Sequence, residues 1–290
     1  MGGSSHTRHY SRMPSAFRGL VRAALRGGAT AETAGDVPPI VACVPPAPPD
    51  ARRLNAYRAV CGFADDGLLP VTYPHAMAGP LHLAALTHPA FPFRLPGLVH
   101  VRNTVCQYRG IDAGEPLALQ VALGGRREVD KGVEFDMTTS ALDAAGAVVW
   151  TGTSTNLARR AGRRPGGARS VPAMGGYAEI GAWEAPAGIG RRYGWIAGDL
   201  NPIHLHDALA RVFGMPGSIA HGMWLFARSL AALQPSWPGA VRLEVAFRRP
   251  VRLPGQVRQW VRDDDGGTTY VLTDPGAEVR HLSGSVAAVP

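Results

Sequence analysis

The sequence predicts an α+β chain built as two similar halves, each a helix followed by an antiparallel meander of strands. Three observations carry this. Apolar residues make up 46% of the 290 positions, enough to bury a sizeable core. Two sets of four strand-like runs are divided by hairpin-type turns such as Asp112-Ala113-Gly114 and Asp143-Ala144-Ala145-Gly146. Short stretches also recur at a similar offset. Pro74-His75-Ala76-Met77 matches Ala220-His221-Gly222-Met223, and Val99-His100-Val101 with Gly114 downstream matches Val241-Arg242-Leu243 with Gly255. Such self-similarity suggests an internal duplication, with two equivalent units packed side by side.

Taken in order, residues 1–14 are expected to be disordered. Phe17, Leu20, Val21, Ala24 and Leu25 then fall at helical spacing, which predicts a docked amphipathic helix. The arginines that precede the first acid, Glu32, give the same segment the composition of an organellar transit peptide. Residues 34–50 are rich in proline and read as an extended surface connection. Asp50 is placed to cap a short helix over 51–57. A small-residue helix over 74–86 is interrupted or started by Pro80, and strands follow over 98–108, 117–123, 132–142 and 148–157. These make an N-terminal unit, 15–158. Residues 159–176, dominated by Arg and Gly, read as a linker. The C-terminal unit, 177–290, begins with a strand near 177–183. A helix over 207–213 follows, then a longer one over 218–233 with Ser218 as its cap. Strands over 241–248, 255–263, 268–272 and 278–287 complete it.

Composition excludes several function classes. The net charge of +8 rests almost wholly on arginine, since Lys131 is the only lysine. In a chain also rich in Ala, Gly and Pro this reflects coding bias rather than a polyanion partner. No basic stripe with interleaved aromatics or nucleic-acid module accompanies it. Three cysteines at unrelated spacings, Cys43, Cys61 and Cys106, give neither a disulfide framework nor a zinc site, and suggest a reducing, cytoplasmic compartment. No apolar run reaches the length of a membrane span.

The chemistry concentrates in residues 193–210, Y-G-W-I-A-G-D-L-N-P-I-H-L-H-D-A-L-A. Asp199 and His204 flank a turn-forming Asn201-Pro202, so an acid and an imidazole can face one small volume, the minimum for moving two protons. Gly198 permits close approach. Singly, Asp199 would be an ordinary turn residue accepting backbone hydrogen bonds, and His204 a satisfied histidine. Together they point to acid–base catalysis. Gly222, at the first turn of an apolar helix, leaves its N–H available to a carbonyl oxygen that gains charge, an oxyanion hole in effect. His75, His82, His100 and His221 are expected to serve packing or helix-end hydrogen bonding.

The stretch resembles the signature of the MaoC-like dehydratases, or (R)-specific enoyl-thioester hydratases, through Tyr193, Ile196, Gly198, Asp199, Asn201, Pro202, Ile203, His204 and Ala210. Ala197 departs from the pattern, which usually has Ser, Thr, Gly or Cys there. Thr72-Tyr73-Pro74-His75 and the 97–103 segment are similar to the N-terminal half of double-hotdog members. The resemblance implies a double hotdog, two helix-wrapped antiparallel sheets in one chain. The first has lost catalytic residues and shapes an acyl tunnel; the second is catalytic.

The resemblance further implies a hydro-lyase that interconverts trans-2-enoyl and (3R)-3-hydroxyacyl thioesters of coenzyme A or acyl carrier protein, without a metal or redox cofactor. Asp199 and His204 would be catalytic, Gly222 the oxyanion donor, and Asn201, Gly198 and Tyr193 supporting residues. Trp224 and Ser229 are candidates to line the pocket. Arg248 and Arg249 are candidates for contacts to pyrophosphate or to an acidic carrier. The chain would be a homodimer or a pseudo-dimeric monomer. Two alternatives share the fold: an acyl thioesterase and a non-catalytic partner subunit. The Asp199-x-Asn201-Pro202-x-His204 pattern favours the lyase over both.

Overall fold

The computed structural model describes residues 6–16, 19, 35–95, 97–160, 174–234 and 236–289. Its strands form one continuous sheet in the order β1-β2-β4-β5-β6-β3-β8-β11-β10-β9-β7. The N-terminal half contributes β1 (His6–His9), β2 (Ile40–Ala47), β3 (Leu98–Gln107), β4 (Leu117–Val129), β5 (Gly132–Leu142) and β6 (Val148–Arg159). The C-terminal half contributes β7 (Ala178–Ala185), β8 (Val241–Phe247), β9 (Gly255–Asp264), β10 (Gly267–Thr273) and β11 (Arg280–Ala287). From β2 to β7 every neighbouring pair is antiparallel.

Read outward from the centre, each half runs in the same order: β3, β6, β5, β4, β2 on one side and β8, β11, β10, β9, β7 on the other. The duplication seen in the sequence is therefore a two-fold repeat of structure. The two predicted sheets meet edge to edge where β3 pairs with β8, Asn103 opposite Val245 and Thr104 opposite Glu244. This pairing hides from solvent two edges that would otherwise expose unpaired backbone groups.

The helices repeat as well. In the N-terminal half they are α1 (Ala51–Cys61), α2 (Tyr73–Met77) and α3 (Gly79–Leu86); in the C-terminal half, α4 (Ile189–Ala197), α5 (Asp207–Val212) and α6 (Gly222–Leu233). Helix α3 packs on β2 and β4. Helix α6 packs on the equivalent β7 and β9: Trp224 meets Trp183 edge-on at 5.5 Å, and Gln259 donates to the Ser229 carbonyl. Each half is thus a sheet wrapped on a helix, the double hotdog that the resemblance implies. Asp50 caps α1 as predicted, accepting from Arg53 N–H at 2.8 Å. The predicted 74–86 helix breaks at Ala78. Pro80 lacks an N–H and its ring collides with the carbonyl four residues back, so α3 starts afresh with Pro80 in its first turn.

Several expectations need correction. Residues 1–14 are not wholly disordered: His6–His9 pair in parallel with 40–43 and cover the edge of β2. Residues 34–50 are not only a surface connection. Ile40, Ala42 and Val44 alternate inward and are buried, making β2 a true strand of the sheet, with β1 outside it. Its prolines sit at the register shift between Val44 and Ala47, where a missing N–H breaks no ladder. The longer C-terminal helix begins at Gly222, not 218, because Ser218 caps nothing. Both its N–H and its hydroxyl donate to Asp207 Oδ1, at 2.8 and 2.6 Å. The leading helix expected around 17–25 and most of the 159–176 linker lie outside the described residues. Among the described residues no helix is long and apolar enough to cross a membrane.

Candidate active site

Helix α4 ends at Gly198, whose φ of 72° is a left-handed conformation that favours glycine. Gly62 ends α1 in the same way, with φ of 85°, so both halves reach the same exit. They then diverge. After Gly62 the chain carries Asp65, paired with Arg58 at 2.7 Å, and Asp66, bonded to Leu68 N–H, and reaches α2 without a histidine. After Gly198 it carries Asp199 and a one-turn 3-10 helix, Pro202–His204.

The turn is self-supporting. Asp199 Oδ1 accepts from Asn201 N–H at 3.2 Å, and Asn201 Oδ1 from Ile203 N–H at 3.4 Å. The Asn201 carbonyl accepts from His204 N–H at 3.0 Å. Asn201 therefore positions the carboxylate through its backbone and the turn through its side chain. His204 Nδ1 lies 2.8 Å from the Ile219 carbonyl. A carbonyl only accepts, so Nδ1 carries the proton and Nε2 keeps a lone pair.

His221, expected to serve packing or helix-end hydrogen bonding, lies beside the acid and imidazole of the site. Its Nε2 lies 3.0 Å from the Asp199 carbonyl and 3.8 Å from Asp199 Oδ2, and its ring stacks on His204 at 3.7 Å. Tyr193, fully buried, holds the other side of that ring at 5.1 Å. One ligand-type atom from each of Asp199, His204 and His221 lies within 4.8 Å of the others. A single water can bridge such a gap. The Asp199 carbonyl only accepts, so His221 Nε2 carries its proton there and offers no lone pair at that atom.

Asp199 lies deep among protein atoms, yet its side chain is 56% solvent-accessible, so it opens onto a recess. Burial opposes its ionisation, but the His221 and His204 imidazoles and the Asn201 N–H outweigh that and hold the carboxyl below its usual range. Burial pushes His204 below the ordinary histidine value, against the pull of Asp199 and of the Ile219 carbonyl. Near neutral pH the pair is a carboxylate and a neutral imidazole.

Gly222 opens α6. Trp224 and Leu225 N–H donate to the His221 carbonyl, whereas Gly222 N–H meets no acceptor among the described residues. A side chain at Gly222 would press on the Phe247 ring at 3.0 Å. Arg248 and Arg249 follow Phe247 directly at the end of β8, and Arg248 is exposed. Trp224 and Ser229 do not present polar groups to the recess, which corrects their expected role. The Trp224 indole N–H donates to the Val60 carbonyl at 2.8 Å, and the Ser229 hydroxyl to the Leu225 carbonyl at 2.8 Å; both residues are core.

Close approach sets the whole arrangement. Gly190, Gly194 and Gly198 lie four residues apart on one face of α4. A methyl group at Gly190 would overlap the His204 carbonyl, and one at Gly194 would come within 2.7 Å of the Asp199 carbonyl. From the other half, a methyl at Gly79 would overlap the Ala197 carbonyl. Arg53 crosses between halves, donating to the carbonyls of Ile196 and Ala76. The regular glycine spacing is the signal that would have revealed this clasp.

The site's histidines also make the fold sensitive to acid. Burial lowers His82 to about 3, His100 to about 4 and His221 to about 3, with a second push from a neighbouring histidine on His82 and His221. Unfolding restores values near 6.5, so below about pH 6.5 the unfolded chain binds more protons than the folded one. Stability is therefore complete above that pH and falls on acidification until the folded histidines titrate. His82 and His221 should each cost about 2 kcal/mol by pH 5. The thermal midpoint should drop by several degrees from about pH 7 to about pH 5. A flat profile would show that these rings are not held neutral.

Comparison with known proteins agrees with this geometry. A family model described as a MaoC-like domain matches residues 189–271, from α4 into β10. The chain is 31% identical over 280 residues to 3-hydroxyacyl-thioester dehydratase X of Mycobacterium tuberculosis, covering 94% of this chain and 98% of that protein. The crystal structure of HtdX of Mycobacterium tuberculosis superposes with a TM-score of 0.75 at 30% identity, over 86% of this chain and 100% of that one. A second protein of that organism, described as having a double hotdog fold, matches with a TM-score of 0.58 over 90% of this chain and 98% of its own. At 11% identity it speaks for the fold alone. With a relative aligned almost end to end, and the acid and imidazole of the motif meeting in one recess, the chain belongs to the MaoC-like dehydratase family in its double-hotdog form.

Proposed function

We propose that the chain is a hydro-lyase that adds water to trans-2-enoyl thioesters to give (3R)-3-hydroxyacyl thioesters, and runs the reverse dehydration. The observation that carries this reading is the ionised Asp199 beside a neutral, tautomer-fixed His204 across a gap that fits one water. The water sits between them, and its oxygen adds to the third carbon of the enoyl group. The pair holds no spare proton near neutral pH, so the proton removed from water is the one returned to the second carbon. His204 Nε2 suits the acceptor because its lone pair is free, and Asp199 orients the water and stabilises the transient imidazolium. Gly222 N–H polarises the thioester carbonyl as charge moves onto its oxygen. These groups suffice for the chemistry, which needs neither a metal nor a redox cofactor.

One active site per chain follows from the missing acid–histidine pair after Gly62. The N-terminal half then acts as support and substrate wall, and residues 177–290 as the catalytic unit. Arg248 and Arg249, at the end of β8 beyond Phe247, are placed to meet the phosphates of a thioester carrier, either coenzyme A or the phosphopantetheine of a carrier protein. The test is incubation of purified protein with crotonyl-coenzyme A. Loss of enoyl absorbance with no free thiol supports the hydratase. Thiol release with the double bond intact would instead make it a thioesterase.

A further inference from the structure

His221 stands where three pieces of the site meet. It is the last residue before α6, in an extended conformation with φ of −65° and ψ of 135°. Its carbonyl starts that helix by accepting from Trp224 and Leu225 N–H, while its side chain caps nothing there. The ring turns instead into the catalytic segment, where the residue is 3% exposed. Its Nε2 donates to the Asp199 carbonyl at 3.0 Å. A Cβ at Gly194 would lie 2.7 Å from that carbonyl oxygen and 3.6 Å from His221 Cε1. Helix α4, the turn and the ring thus close on one point.

Among the described residues His221 Nδ1 is buried without a partner, so the ring's hydrogen bonding goes to Asp199 alone. Nε2 stands 3.8 Å from Asp199 Oδ2, beyond hydrogen-bonding distance. The bond therefore fixes the main chain of the acid and leaves its carboxylate free for the reaction. One face of the ring lies on His204 at 3.7 Å, and the Tyr193 ring is 5.1 Å away. His204 is itself tied through Nδ1 to the carbonyl of Ile219, two residues before His221. A shift of His221 would reach the acid through a hydrogen bond, the imidazole through a ring stack and Gly222 through the peptide link. His75, its sequence counterpart in the other half, meets the His82 and His100 rings instead.

We propose that His221 is a positioning residue of the reaction: by holding the Asp199 carbonyl and backing the His204 ring, it keeps acid, imidazole and oxyanion donor in one fixed geometry. This rests on the reading of the site as that of a hydratase. His221→Phe keeps a flat ring against His204 and Tyr193 but cannot donate. It also removes the stranded Nδ1, which offsets the lost bond, so the melting temperature should stay near that of the wild type. Its kcat for crotonyl-coenzyme A hydration should fall about tenfold or more with KM within about twofold, as misplaced reacting groups dictate. His221→Gln, whose side-chain N–H reaches about as far as Nε2, should regain most of that rate. Wild-type kcat in folded His221→Phe overturns the proposal, as does a loss confined to KM or one that Gln does not relieve. One measurement needs no turnover. In long-range proton–nitrogen spectra of histidine-labelled wild-type protein, His221, assigned by its absence from His221→Gln, should carry its proton on Nε2. A proton on Nδ1 overturns the proposal even if His221→Phe does not fold. A wild type that leaves crotonyl-coenzyme A unchanged, with that proton on Nε2, would overturn the proposed reaction but not the placement of the ring.

Discussion

Asp199→Asn and His204→Ala should each lower the rate of crotonyl-coenzyme A hydration on the order of 100-fold or more, with the fold retained. Asparagine keeps an oxygen to accept from Asn201 N–H, so the turn survives the first change. It loses the charge that orients the water and stabilises an imidazolium. Alanine at 204 removes the free Nε2 and leaves the Ile219 carbonyl without its donor. That carbonyl sits beside the start of α6, so the second variant should also lose about 1 kcal/mol of stability. Hydration assays and thermal melts read the two effects separately. Full activity in either variant would show that the recess is not where the reaction occurs.

The second large effect is expected from groups that never touch substrate. Gly190→Ala and Gly79→Ala each place a methyl where a carbonyl of the catalytic segment now sits: His204 for the first and Ala197 for the second. Neither obstacle is the end of a flexible side chain; both are backbone. The turn must shift to admit the methyl, and a displacement near 1 Å in a positioned acid or base costs about 100-fold in rate. The outcome expected is a protein of near-native secondary structure by circular dichroism, with kcat collapsed. Gly188→Ala, just before α4 with φ of −83° and open space around it, serves as a check on helix-adjacent glycines in general. Wild-type kcat in Gly190→Ala would mean that α4 and the turn can separate without consequence.

These expectations show what the sequence could and could not reveal. The motif residues were legible because the turn is local. Asp199, Asn201 and His204 are fixed by hydrogen bonds that span no more than three residues, apart from the His204–Ile219 and His221–Asp199 links. The strands were legible because one face of each is buried and the alternation survives in the letters. His221 was not, because its role depends on stacking against a residue seventeen positions away, which no spacing rule encodes. Strand β2 was hidden by its prolines, which normally mark connections and here occupy a register shift at an edge. The expected roles of Trp224 and Ser229 failed for a related reason. Helical position gave the right element, while their hydrogen bonds to Val60 and Leu225 turn them into the core.

The seam between β3 and β8 has a consequence for how such a molecule can change. In an assembly of identical subunits, any substitution appears in both, and a residue cannot be lost from one site without being lost from the other. Here the two units share one polypeptide, so their ratio is fixed and dilution cannot part them. Each can drift alone. One side could give up its acid and imidazole while the other kept the chemistry. Specific activity per molecule should accordingly stay constant as the protein is diluted.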